Sequence, residues 1–76
     1  KGGMLITVQD RDKPEIVSTA RRFFNHGFEM YATAGTAELL NRNGITTTSV
    51  GKIHEGENDI IDLLESGKIN YVISSR

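Results

Sequence analysis

Ala32-Thr33-Ala34-Gly35-Thr36-Ala37 joins a strand-like run, Phe28-Glu29-Met30-Tyr31, to a helix-like one, Glu38-Leu39-Leu40-Asn41-Arg42. The first N–H groups of a helix lack intrahelical partners, and its dipole places partial positive charge there, so an anion is favoured at such a turn. Gly35 allows close backbone approach or a positive φ, and the hydroxyls of Thr33 and Thr36 can each donate to a phosphate oxygen. A Thr-x-Gly-Thr run before a helix is also what plain N-capping looks like. Capping and a phosphate cradle therefore stand side by side, and the rest of the chain has to choose between them.

Upstream, Met4-Leu5-Ile6-Thr7-Val8 is a short apolar run rich in β-branched residues and reads as a buried strand. Asp12-Lys13-Pro14-Glu15 carries the start signals of a helix: a cap, an early proline and an acidic first turn. That helix is expected to run to about His26, with Ile16, Val17, Ala20, Phe23 and Phe24 on one stripe and Gly27 as its stop. The second strand is expected over 28–32 and the second helix from about Thr36 to Arg42, ended by Asn43-Gly44. A third strand over 46–50, a polar glycine-bearing loop over 51–58, a third helix over 59–65 ended by Ser66-Gly67, and a fourth strand over 69–73 complete the chain. The order β-α-β-α-β-α-β calls for a doubly wound parallel α/β sheet with right-handed crossovers and helices on both faces.

The 76 residues hold one domain at most. A domain this small buries only about 60% of its extended-chain surface, so it has little stability to spare. There is no cysteine, which excludes disulfides and thiolate metal sites. A formal net charge of −1 argues against a general nucleic-acid binder, which needs a clustered basic surface. No apolar run approaches the roughly 20 residues of a membrane span, no signal peptide is visible, and residues 1–3 look like a linker. His26 reads as a helix-end surface residue. His54 has no second His at metal-ligand spacing, so no metal site is expected. Phe23, Phe24 and Phe28 read as core, and Glu55, Glu57, Asp59, Asp62 and Glu65 as a solvated face.

In a doubly wound sheet, ligands bind outside the carboxyl ends of the strands. The segments following the four strands, 9–13, 33–36, 51–57 and 74–76, are thus expected on one edge. Lys13, Thr33, Thr36 and Lys52 can converge there as two ammonium groups and two hydroxyls beside a helix N-terminus, a donor set suited to phosphate. For each lysine the alternative is a solvated surface charge.

Asp12-Lys13, Ala32-Thr33-Ala34-Gly35-Thr36-Ala37, Gly51-Lys52-Ile53-His54-Glu55-Gly56 and Gly67-Lys68-Ile69-Asn70-Tyr71-Val72-Ile73 occur in the order found in methylglyoxal-synthase-like domains. Over nearly its whole length the chain resembles this family, and within it the C-terminal allosteric domain of the carbamoyl-phosphate synthase large subunit. The resemblance implies a non-catalytic regulatory domain. Such a domain binds a phosphorylated effector (UMP or UTP, IMP, or phosphoribosyl pyrophosphate) and modulates carbamoyl phosphate synthesis from glutamine or ammonia, bicarbonate and ATP, for pyrimidines or arginine. It assigns effector phosphate to Lys13, Thr33, Gly35, Thr36 and Lys52, and further effector contacts to Ser74 and Ser75, where the family commonly has Asn followed by Thr.

The resemblance also implies partners: the synthetase domains of the same large subunit and a glutaminase small subunit, in the cytoplasm, with no nucleic acid or membrane involved. No cofactor is expected in the domain itself, whereas ATP and a divalent metal are implied for the parent ligase. The family continues through a further strand and helix, so the chain is expected to be a partial domain over 1–76. The alternative is a methylglyoxal synthase-type lyase acting on dihydroxyacetone phosphate. It needs a carboxylate base, and Glu57 falls where the synthase's Gly-Gly-Asp segment supplies one.

Overall fold

The computed structural model describes residues 2–7, 13–50 and 60–74, the side chains of 13 and 60–62 excepted. The elements are β1 (Gly3–Thr7), α1 (Lys13–Asn25), β2 (Glu29–Thr33), α2 (Ala34–Arg42), β3 (Thr47–Val50), α3 (Ile60–Glu65) and β4 (Ile69–Ser74). All strand pairs are parallel, in the order β3-β2-β1-β4. The expected element order and doubly wound sheet are therefore present. The chain steps from β1 through β2 to β3, then returns across the sheet to the far side of β1. α1 and α2 pack over one face; the right-handed rule for parallel crossovers assigns α3, whose crossover runs the other way, to the opposite face. The direction reverses between β1 and β4.

β1 is covered on both faces, which is why it reads as an unbroken apolar run: Met4, Leu5 and Ile6 are all buried. Met4 and Ile6 join Met30 and Ala32 of β2 beneath Ile16 and Ala20 of α1 and Ala37 and Leu40 of α2. By strand alternation the buried Leu5 and Val50 lie on the other face. The expected α1 stripe packs as read, with Val17, Phe23 and Phe24 partly buried against that core.

Both longer helices close in the same way. Phe28 N–H donates to Phe23 C=O (3.2 Å) and Gly27 N–H to Phe24 C=O (3.0 Å), while the Phe23 and Phe28 rings meet edge to face at 5.3 Å. In α2, Ile45 N–H donates to Leu40 C=O (2.9 Å) and Gly44 N–H to Asn41 C=O (3.1 Å), with Leu40 and Ile45 both in the core. This is the Schellman closure, whose left-handed residue is Gly27 (φ 96°) in one case and Gly44 (φ 81°) in the other.

Several expected boundaries shift. Gly3, read as linker, opens β1 and is buried; its N–H donates to Asn70 Oδ1 (3.1 Å), and a Cβ there would strike the Lys68 carbonyl. Gly2 C=O accepts from Glu29 N–H at 2.9 Å, so it too belongs to the sheet. β2 runs one residue later than expected, over Glu29–Thr33, and α2 starts two residues earlier, at Ala34. The turn between them has no loop residues: Thr33 ends the strand and caps the helix. β3 begins at Thr47 and β4 extends to Ser74.

Candidate functional site

Parallel pairing sends the carboxyl ends of all four strands to one edge. The register pairs Ile6 with Ala32, Thr33 with Val50, and Thr7 with Ser74, so Val50, Thr33, Thr7 and Ser74 form one level across the sheet. Alternation places Thr7, Thr33 and Ser74 on the face opposite the α1–α2 core. Three hydroxyl residues thus stand in a row at the mouth of the β1–β4 reversal, where open α/β sheets take ligands.

Thr33 is also the N-cap of α2 (φ −65°, ψ 160°), and its side chain makes no cap hydrogen bond. The first turn of α2 contains no acidic residue, whereas that of α1 carries Glu15. The positive end of α2 is therefore offset neither by its own cap nor by a carboxylate of its first turn. Gly35 is exposed and puts no side chain over this turn. Thr36 is 1% exposed, so its hydroxyl lies within the packed interior rather than standing open at the edge.

Of the residues expected at the site, Thr33, Gly35 and Ser74 lie at the carboxyl edge, while Thr36 is there by its backbone alone, its side chain packed inside. Lys13 is there by its backbone, as the first residue of α1. Lys52 and Ser75 lie outside the described residues, as do His54 and Glu57. Sequence reasoning missed Thr7. Inside Met4-Leu5-Ile6-Thr7-Val8 it passes for one more β-branched strand residue, and only the level it shares with Thr33 and Ser74 marks it out. Two residues before Thr33 on the same face, the Tyr31 hydroxyl donates to Glu29 Oε1 at 2.9 Å. Burial, with that hydrogen bond and the carboxylate's charge, pushes the Tyr31 phenol above its ordinary value.

Several clefts among the described residues lie away from this edge, two of them of note. One, at the amino ends of the strands, is lined by Gly2, Gly27, Glu29, Gly67, Lys68 and Asn70. The other lies along α1 and contains Phe23, Phe28 and Tyr71.

The fold, with its reversal point and a helix N-terminus at the carboxyl edge, defines the class: a doubly wound parallel α/β domain. Within that class the chain belongs to the MGS-like domain family, whose model matches residues 15–75. It is 47% identical over 72 residues to the carbamoyl phosphate synthase large chain of Thermotoga maritima and 44% identical over 70 residues to that of Pseudothermotoga lettingae, covering 95% and 92% of this chain. It is 40% identical over 75 residues, or 99% of its length, to the carbamoyl phosphate synthase large chain, C-terminal section, of Aquifex aeolicus. The chain spans only 7%, 6% and 14% of those three relatives.

Proposed function

We propose that this domain binds the phosphate of a phosphorylated effector at the carboxyl edge of its sheet, and that it regulates the large chain of a carbamoyl phosphate synthase. The observation that carries this reading is Thr33: an N-cap with no cap hydrogen bond, on a helix with no first-turn carboxylate, level with Thr7 and Ser74. A helix terminus in that state favours an anion, and hydroxyl donors beside it suit phosphate oxygens. In this reading Lys13, at the start of α1, and Lys52 are the cationic complement, Gly35 gives backbone access, Thr36 belongs to the phosphate-binding turn, and Ser74 and Ser75 are the contacts to the rest of the effector.

The effector class is a uridine or inosine nucleotide, or phosphoribosyl pyrophosphate. The names of the relatives support a carbamoyl phosphate synthase large chain as the parent; for that parent we infer a ligase using ATP and a divalent metal, with synthetase domains on the same chain and a glutaminase small subunit, in the cytoplasm. The domain contributes no catalytic residue, and its effector adjusts carbamoyl phosphate output for pyrimidine or arginine synthesis. A thermal-shift panel of UMP, UTP, IMP, phosphoribosyl pyrophosphate and inorganic phosphate tests the binding half. At least one phosphorylated compound raises Tm while its dephosphorylated counterpart does not, and a panel without any shift contradicts the proposal. The regulatory half is read as a coupling free energy in the full-length synthase, from the change in nucleotide or ammonia dependence on adding the effector.

A further inference from the structure

No further inference is drawn: the strongest candidate, the aromatic groove that Phe23 and Phe28 form with Tyr71 of β4, has nothing in the structure to show what covers it.

Discussion

The two ends of the sheet are built differently. At the amino end, polar backbone groups are closed by partners from the protein itself: Gly3 N–H by Asn70 Oδ1, Glu29 N–H by Gly2 C=O, and the carbonyls of Phe23, Phe24, Leu40 and Asn41 by the chain that leaves their helices. At the carboxyl end, α2 begins without a side-chain cap or a first-turn acid, beside a row of hydroxyls. Partners drawn from the protein itself stabilise the fold, and donors left uncommitted at a helix N-terminus suit an anion supplied from outside. Substitutions at the amino end should therefore change stability and leave ligand affinity alone, with the reverse at the carboxyl end.

The largest effect is expected at Leu40, which is fully buried and whose carbonyl accepts the closing N–H groups of α2. Leu40→Ala should destabilise the domain by about 2–5 kcal/mol in urea unfolding, through lost burial and the cavity left behind. Phosphate affinity, measured on the folded fraction, should stay within error. If affinity falls in step with stability, the division between the two ends is wrong.

At the carboxyl end, Thr7→Val keeps the shape and removes the hydroxyl. It should weaken effector binding by about 1–2 kcal/mol, the loss of a hydrogen bond to a charged group, as read by isothermal titration. Its effect on Tm should be small, because Thr7 is only half-buried at the strand end. Unaltered affinity would remove Thr7 from the site and confine recognition to β2, β4 and the helix starts.

The smallest effect concerns Tyr31. Its folded phenol titrates above the unfolded value of about 10. The folded state thus holds the proton more tightly, and the stability this contributes is complete below about pH 10 and lost as pH rises through the folded value. Tyr31→Phe should flatten the alkaline limb of a Tm against pH curve and leave the neutral region nearly unchanged. An identical alkaline limb in the variant would show that another group sets it.

Much of this architecture is legible in the residues. Gly27 and Gly44 announce the ends of α1 and α2, the Ile16-to-Phe24 stripe announces the buried face of α1, and apolar runs separated by helical segments announce a parallel sheet. Other features depend on distant pairing. Gly3 looks like linker until Asn70, 67 residues away, supplies a partner for its N–H. Nothing local shows that β4 returns to β1, yet that return creates the reversal point and sets Thr7 beside Ser74. Thr33 and Thr36 look equivalent in the sequence, but one ends a strand at the edge and the other is packed inside the first turn.

The two lateral edges of the sheet, β3 and β4, differ as well. On β3, the Asn41 side chain engages both backbone groups of Thr47: Nδ2 donates to the carbonyl (3.1 Å) and Oδ1 accepts from the N–H (2.8 Å). The amide thus occupies the pairing groups of the first residue of that strand. β4 carries Tyr71 and Val72, 52% and 54% exposed, and no charged side chain among its described residues.

Thr33 is where the central claim is most directly measured. Titrating the wild type and Thr33→Ala with the effector identified in the panel, and melting both proteins without ligand, separates the two readings of the turn. The cradle predicts an affinity loss of about 1–2 kcal/mol. It also predicts a Tm close to wild type, since the side chain makes no cap hydrogen bond to lose. An unchanged affinity with a stability loss of about 1 kcal/mol would mean that Thr33 is an ordinary N-cap, and would contradict the phosphate site.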